Sequence, residues 1–176
     1  MQIGSVTGGH VDCFPTDAMT AALNERGARI GAAAPADSLP DGGVRFDELS
    51  GSMDSIFHGK LDMEGGISLV GTDGTRLDVM KLSGETPLGA ISATPETTRP
   101  GQAPQAGPRA EVAYPTVPGS VGGRPTGLTT FDVSVGSTNF ALTQAGAARI
   151  NDVFGTTLEK DVTFMRCTAD IQGRLG

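Results

Sequence analysis

Between Val44 and Ala93 the chain alternates apolar and polar residues, which is typical of antiparallel strands that bury one face. Lys60-Leu61-Asp62-Met63 shows this alternation, Gly65-Gly66 interrupts it, and Ile67-Ser68-Leu69-Val70 resumes it. The Gly71-Thr72-Asp73-Gly74 segment predicts a tight hairpin, because Asp-Gly readily adopts the positive φ angles that such a turn requires. We therefore expect a return strand from Thr75 to Leu82 and a further strand over 88–93.

Two other segments have a helical pattern, and they resemble each other. Thr16 to Asn24 and Thr143 to Asn151 each begin with a threonine suited to cap a helix, and each is followed by a glycine. Both have Ala two residues after the Thr and a branched aliphatic residue just before the Asn. This layout indicates an internal repeat in which a strand runs into a short helix, although the abundance of Ala leaves chance agreement open.

These patterns predict the fold class. Strand signals dominate, and the alternating Phe131-Asp132-Val133-Ser134-Val135 adds another strand in the second half. We expect a mostly β protein, an antiparallel β-sandwich-like domain with two short α-helices. At 176 residues the chain is expected to form a single domain, 1–176.

Glycine and proline are unevenly distributed. The chain has 26 Gly and 11 Pro, and 13 of these 37 residues lie in the 33 residues from Pro95 to Gly127. This stretch predicts one long Pro/Gly-rich connection, either a surface loop or an arm through which copies of the chain associate. Within it, Ala110 to Pro115 is apolar enough for a short edge strand or a docking segment.

Charge excludes one class of partner and leaves others open. The formal net charge is −7 and basic residues do not cluster, so nucleic acid is not an expected partner. The sequence has no apolar run of about 18 residues, and we expect no membrane span. The start Met1-Gln2-Ile3-Gly4 lacks the basic and apolar regions of a secretory signal, so any signal peptide is expected to be absent from this chain.

The two cysteines, Cys13 and Cys167, lie near opposite ends of the chain. A disulfide between them would close a long loop and stabilise the fold by about 4 to 5 kcal/mol in the chain-entropy model. Two separate buried thiols are the alternative. A disulfide would favour an oxidising compartment, which would fit a protein whose leader had been removed.

Candidate chemistry is sparse. The two histidines, His10 and His58, are far apart in sequence and away from the cysteines, so the spacing predicts neither a zinc site nor a catalytic triad. His58 lies at an expected strand turn, and Tyr114 lies in the Pro/Gly-rich segment as its single tyrosine. Both are possible loop or ligand contacts. The sequence predicts neither catalytic residues nor metal ligands.

Two motifs resemble the HtaA-type domains, a family of haem-transport-associated, β-rich domains of actinobacterial cell-surface and secreted proteins. Gly65-Gly66-Ile67-Ser68-Leu69 is similar to the family's middle motif, and the stretch from Leu142 to Gly155 is similar to its closing strand-to-helix motif. The resemblance covers roughly residues 5 to 170 in the order of elements. It implies a β-sandwich outside the cytoplasm, and this agrees with a disulfide between Cys13 and Cys167.

The family's haem-binding members resemble one another in features that this chain lacks. They share an aromatic N-terminal motif with Trp and Tyr and a His beside the Gly-Gly pair. This chain has no Trp, reads Val11-Asp12-Cys13-Phe14 near its start, and has Met63-Glu64 before Gly65. We therefore expect no cofactor, with haem possible but disfavoured.

Three functional hypotheses follow. The leading one is a non-enzymatic extracytoplasmic binding or cell-surface module, whose partner is an unidentified small ligand or protein. The second is a structural subunit of a surface, filament or phage assembly that associates through residues 95–127. The third is a small β-barrel enzyme of the cyclase or isomerase type, which a carboxylate facing into an apolar interior would favour.

Overall fold

The computed structural model describes residues 1–55, 58–86 and 89–176, with only the backbone described for Thr86. Strands dominate, and two α-helices and a short 3₁₀ turn at Pro40–Gly42 complete the fold. The first elements are β1 (Gly4–Pro15), α1 (Asp17–Asn24), β2 (Ala28–Ala33), β3 (Asp37–Ser38), β4 (Val44–Phe46), β5 (Leu49–Met53), β6 (Gly59–Gly71) and β7 (Arg76–Thr86). The remaining elements are β8 (Ile91–Thr98), β9 (Gln105–Ala106), β10 (Ala110–Val117), β11 (Val121–Pro125), β12 (Thr130–Leu142), α2 (Gln144–Phe154) and β13 (Thr163–Leu175).

The strand pairings close into a ring. Strands β12, β10, β8, β7, β6, β5 and β1 are neighbours in that order, and β13 pairs with both β1 and β12. All of these pairings are antiparallel. The predicted mostly β, sandwich-like class with two short helices is confirmed, and the two faces of the sandwich are joined through these eight strands.

Inward-facing side chains follow the predicted alternation. Along β6, Leu61 and Met63 are buried, a bulge falls between Met63 and Gly66, and Leu69 continues the buried face. Gly65 lies in this bulge with φ +86, where a Cβ would come within 2.5 Å of the Ala36 amide nitrogen. The Gly-Gly pair therefore bends one continuous strand, where the sequence pattern suggested a break between two.

The predicted hairpin joins β6 to β7. The Gly71 amide donates to the Thr75 carbonyl oxygen at 2.8 Å, and Gly74 has φ +90. The Asp73 carboxylate accepts from the Thr75 amide and hydroxyl, which lowers the pKa of Asp73. The next strand begins at Ile91, and the expected start at residue 88 lies outside the described residues.

Both predicted helices are present and flank the same strand. α1 follows β1 and α2 follows β12, and these two strands pair with opposite edges of β13. The Thr16 hydroxyl accepts from the Met19 amide, and the Thr143 hydroxyl accepts from the Gly146 amide. The apolar faces of the two helices share one core with Leu69, Leu77 and Leu142. The repeat seen in the sequence therefore corresponds to two similar strand-to-helix corners.

Residues 95–127 contribute more to the sheet than a plain connection would. β10 lies between β8 and β12, and β11 pairs with β12 over five residues from Val121 to Pro125. The strand expected at Ala110 to Pro115 is thus present as β10, within the sheet rather than at its edge. The short β9 pairs with β8.

A disulfide joins Cys13 to Cys167 and confirms the bonded alternative. The two cysteines face each other directly in the β1–β13 pairing, with their Cα atoms 4.1 Å apart. The bond therefore connects the first and last long strands at the place where β13 completes the ring.

Candidate ligand cavity

A cavity of about 240 Å³ lies inside the ring and extends to the inner faces of both helices. Apolar side chains from both sheet faces form most of its lining, among them Leu61, Ile67, Val79, Val135 and Phe164. We call this space the central cavity. An eight-stranded ring has an interior just wide enough to be filled by side chains or to hold one small ligand.

The inward residues of β13 show how the cavity forms. Met165 and Ile171 are buried, whereas Cys167 and Ala169 between them keep part of their surface accessible. Ala169 lies opposite Val135 of β12, and both are small or medium-sized side chains that line the cavity. The space therefore opens where the chain places small residues at inward positions.

The disulfide is part of this lining. Cys13 and Cys167 both border the central cavity from the β1–β13 side. Because the sulfurs are bonded to each other, this surface is apolar and offers no thiol for chemistry. The disulfide fixes the distance between two strands that would otherwise depend on backbone hydrogen bonds alone.

The helices close one part of the cavity with different side chains. α1 contributes Met19, which is 1% exposed. α2 contributes Ala145, Gly146, Arg149 and Ile150. At Gly146 a Cβ would come within 2.3 Å of the Val112 carbonyl oxygen, so glycine lets α2 lie directly against β10.

Four polar residues also border the cavity, and three of them, Thr138, Glu85 and Thr168, are accounted for locally. The buried Thr138 hydroxyl accepts from the Gly119 amide and donates to the Gly136 carbonyl oxygen. Glu85 is exposed and lies directly opposite the exposed Lys60 on β6. Directly paired residues point to the same face of a sheet, so the Glu85 carboxylate lies on the outer face. Thr168 is exposed on β13 between the inward-facing Cys167 and Ala169, so its side chain lies on the outer face. The fourth polar residue is the half-buried Arg149 of α2.

His58 follows β5 at the turn that leads into β6, as the sequence suggested. Its Nδ1 lies 2.8 Å from both carboxylate oxygens of Asp54, and the two side chains are about half exposed. The Asp54 amide also donates to the His58 carbonyl oxygen. His58 is not among the cavity-lining residues of the described chain, and ligand contact by His58 stays a prediction.

Tyr114 lies in β10, and its hydroxyl donates a hydrogen bond to the Asp161 carboxylate. This hydrogen bond, with burial and the nearby negative charge, raises the pKa of Tyr114 above its usual value. The phenol is therefore held in its protonated form. Like His58, Tyr114 is not among the cavity-lining residues of the described chain. Its role as a ligand contact also stays a prediction.

Sequence reasoning missed Arg149. A weak signal was present, because Arg149 is the one charged residue between Thr143 and Asn151, next to the buried Ile150. A helical pattern alone does not reveal that the residue before Ile150 meets the edge of a cavity rather than solvent. The missing information is which strand packs against that edge of α2.

No group of three or more His, Cys, Asp or Glu side chains lies close enough to hold a metal ion in residues 1–55, 58–86 and 89–176. Among the same residues, neither helix is long and apolar enough to cross a bilayer.

Comparison with known proteins identifies the fold. No family model matches the sequence, and no curated protein matches it. The C-terminal domain of HtaA from Corynebacterium glutamicum matches with a TM-score of 0.62 at 14% identity, covering 96% of this chain and 99% of that one.

A second solved structure is the domain-swapped dimer of a histidine-to-alanine variant of the same HtaA domain. It matches with a TM-score of 0.56 at 14% identity, covering 85% of this chain and 84% of that one. At this identity the likeness concerns the fold alone. The chain is therefore structurally similar, at a distance, to the C-terminal domain of HtaA over nearly its whole length.

Proposed function

We propose that this chain is a non-enzymatic, extracytoplasmic binding module that holds a small apolar molecule in the central cavity. The observation that carries the proposal is the cavity of about 240 Å³, lined mainly by apolar side chains from the ring and both helices. Small-molecule sites are generally concave and apolar, with a few polar groups that orient the ligand. The arrangement offers shape and apolar surface rather than acid–base chemistry.

An extracytoplasmic location is supported by the disulfide and by the fold. Disulfides such as that between Cys13 and Cys167 persist in oxidising compartments and are rare in the cytosol. The likeness to the HtaA domain agrees with the family resemblance of the Gly65-Gly66 and Leu142 to Gly155 motifs. Membership of the HtaA-type family is part of the proposal.

The family resemblance makes haem the alternative ligand, but the described residues fit it poorly. An iron-bound tyrosine is a phenolate, whereas the hydrogen bond to Asp161 keeps the Tyr114 phenol protonated. His58 hydrogen-bonds to Asp54 through Nδ1, which leaves Nε2 free, but His58 is not among the cavity-lining residues of the described chain. We therefore expect haem titration to leave the Soret band of free haem unshifted. A shift that Tyr114→Phe or His58→Ala abolishes would overturn the preference for a ligand other than haem.

Association of copies is a separate prediction. The HtaA domain has been crystallised as a domain-swapped dimer in variant form, so exchange of elements is compatible with this fold. If residues 95–127 mediate association, molar mass measured by light scattering will exceed 17.9 kDa and will rise with concentration. A molar mass that stays near 17.9 kDa at every concentration would show that the chain is a monomer. That result would count against the structural-subunit hypothesis.

Uptake of an apolar molecule is tested with a neutral fluorescent probe, N-phenyl-1-naphthylamine. Its emission rises in apolar surroundings, and the absence of Trp leaves little protein background. We expect saturable binding at one site. Ala169→Leu adds bulk at an inward position and should abolish binding, whereas Gln172→Leu, at an exposed position of the same strand, should retain it.

Two results would contradict the proposal. One is emission that rises without saturation, as weak adsorption to the surface would produce. The other is equal binding by the Ala169→Leu and Gln172→Leu variants, since only the first changes the cavity. Thermal unfolding of both variants provides the check that each is folded.

A further inference from the structure

Resting on the proposed function, we propose that the ligand is an alkyl carboxylate whose chain fills the central cavity and whose carboxylate pairs with Arg149. The argument starts from the position of this side chain. Arg149 lies beside the buried Ile150 on α2, and both residues border the cavity. Arg149 thus borders the space that an apolar chain inside the ring would fill.

The guanidinium packs against the connection between β8 and β10. A Cβ on Gly107 would come within 2.4 Å of Arg149 Nη2, 3.1 Å of Arg149 Cζ and 3.2 Å of Pro95 Cγ. The Gly107 amide donates to the Pro95 carbonyl oxygen at 2.7 Å, which holds this connection in place. Pro95 itself is buried and lines the cavity. The charged group is therefore at the cavity edge, next to a fixed segment of backbone.

Arg149 has no protein partner among the described residues. Other arginines are paired with carboxylates, namely Arg45 with Asp12, Arg76 with Asp78 and Arg124 with Asp132. Arg109 donates to the Lys81 carbonyl oxygen and to the Ser83 hydroxyl. In the described chain, neither a hydrogen bond nor an ion pair is found for the Arg149 side chain.

An unpaired, half-buried guanidinium favours an anionic partner. Arginine remains charged at any physiological pH and presents five donors in a fork that matches a carboxylate. Removing part of this group from water without a partner costs free energy, which a bound carboxylate would offset. Arg166 and Arg174 are exposed, so water can solvate their guanidinium groups.

The charge around the cavity distinguishes an anion from a cation. Glu85 is the one carboxylate residue that borders the cavity in the described chain, and its side chain lies on the outer face opposite Lys60. The whole chain carries a net charge of −7, so its long-range field does not attract anions. Selectivity for a carboxylate would therefore depend on Arg149 itself.

The volume of the cavity gives a minimum for the length of the ligand's alkyl chain. A cavity of about 240 Å³ has the liquid volume of roughly eight water molecules, at about 30 Å³ each. Each methylene is of similar size to a water molecule, so the cavity has room for an alkyl chain of at least roughly eight carbons. Octanoate and the neutral 1-octanol are therefore matched probes that differ in the charge of the head group.

The experiment measures displacement of N-phenyl-1-naphthylamine by octanoate and by 1-octanol at pH 7.5. For the wild-type chain we expect octanoate to bind about ten-fold more tightly than 1-octanol, since charge-assisted hydrogen bonds are about twice as strong as neutral ones. In Arg149→Gln the advantage of octanoate should disappear while the affinity for 1-octanol stays unchanged. Arg166→Gln, at an exposed position on β13, is the matched control and should behave as the wild type.

Four outcomes separate the inference from the proposed function. If the dye itself does not bind saturably, the proposed function fails. If the dye binds and neither probe displaces it, the alkyl-carboxylate inference fails while the proposed function stands. If octanoate and 1-octanol bind equally to the wild type, or if octanoate keeps its advantage in Arg149→Gln, the assignment of Arg149 is overturned while the cavity remains a binding site. Should Arg149→Gln not fold, the wild-type ratio and Arg149→Lys decide, because lysine retains the charge and should preserve a preference for octanoate.

Discussion

The two helices begin in the same way and differ in what they place against the ring. Thr16 and Thr143 each accept from the amide three residues later, and each donates to a carbonyl oxygen of a neighbouring strand. At that third position α1 has Met19 and α2 has Gly146. The two caps are equivalent, whereas the residue that packs against the sheet has a large side chain in α1 and none in α2.

The difference between Met19 and Gly146 changes what each helix places at the cavity. Met19 occupies the space beneath α1 with a flexible side chain that is 1% exposed. Gly146 instead brings the backbone of α2 against β10. Three residues further on, α1 has Ala22 where α2 has Arg149. A repeated capping pattern therefore supports one apolar, closed corner and one corner with a charged group at the cavity edge.

The largest expected effect concerns the disulfide, which anchors the strand leading into α1 but not the strand leading into α2. Reduction should lower the free energy of unfolding by up to about 5 kcal/mol, because it frees a long loop in the unfolded chain. Urea unfolding with and without reductant measures this loss. The Cys13→Ala/Cys167→Ala double variant, which needs no reductant, is the control.

Hydrogen exchange shows where the disulfide acts. If the disulfide stabilises the fold by restricting the unfolded chain, reduction should lower the hydrogen-exchange protection of the slowest amides of α1 and α2 by the same amount. A larger loss in α1 would contradict this expectation. It would mean that the bond between Cys13 and Cys167 holds β1 in its native position at that corner.

The next largest effect concerns Met19 and Gly146, the residues of the two helices that pack against the sheet. Met19→Ala should cost about 2 to 5 kcal/mol, because it leaves a cavity under α1. Gly146→Ala should cost about 1 to 3 kcal/mol through the clash with the Val112 carbonyl, although alanine is the better helix former. Both are measured by urea unfolding.

Ala148 provides the control for the helix itself. It is exposed on α2, so Ala148→Gly should cost only the intrinsic difference of about 1 kcal/mol. If Gly146→Ala stabilised the protein, the close contact between α2 and β10 would not exist as described. The contrast between the two helices would then rest on Arg149 alone.

Local patterns predicted part of both corners. Alternation located β6, β7 and part of β12 but not β1 or β13, Asp73-Gly74 located the hairpin, and Thr16 and Thr143 located the helix starts. Each of these signals is contained within a few residues, because it depends on the side-chain period of a strand or on a hydrogen bond between near neighbours. The cysteine pair left two alternatives that only the pairing of β1 with β13 could decide.

The closed ring and the cavity could not be predicted in this way. Pairing of β13 with both β1 and β12 depends on contacts between distant segments. The proline content of 95–127 also suggested an edge position for β10, which lies inside the sheet between β8 and β12. Pro115 pairs with Phe140 of β12 but lies beyond Ala113, the last residue that pairs with β8, so its missing amide donor disrupts no ladder there. The same dependence on distant strands hid Arg149.

A smaller effect tests whether the caps are truly equivalent. Thr16→Ala and Thr143→Ala should each cost about 1 kcal/mol, because each leaves one helix amide without its side-chain acceptor. Thr→Ser at either position keeps the hydroxyl and should cost less. Chemical denaturation of the four variants measures these losses. A cost at one threonine that greatly exceeds the other would show that the repeat is limited to sequence.

The smallest effect concerns an ion pair that only the α1 corner has. Asp12 lies four residues before Thr16, and its carboxylate accepts two hydrogen bonds of 2.7 Å from Arg45. The equivalent residue before Thr143 is Asn139. Asp12→Asn therefore makes the α1 corner resemble the α2 corner, at a cost of up to about 1 kcal/mol for a partly exposed pair.

The pH dependence of this difference identifies its source. The hydrogen bond from Arg45 lowers the pKa of Asp12 below its usual 3.8. The folded state therefore binds a proton less readily than the unfolded chain, and the pair contributes its full stability above the unfolded pKa. As pH falls through the lowered pKa, the contribution disappears, and the unfolding free energies of wild type and Asp12→Asn should converge. A difference that stayed constant from pH 7 to pH 2 would assign the cost to packing rather than charge.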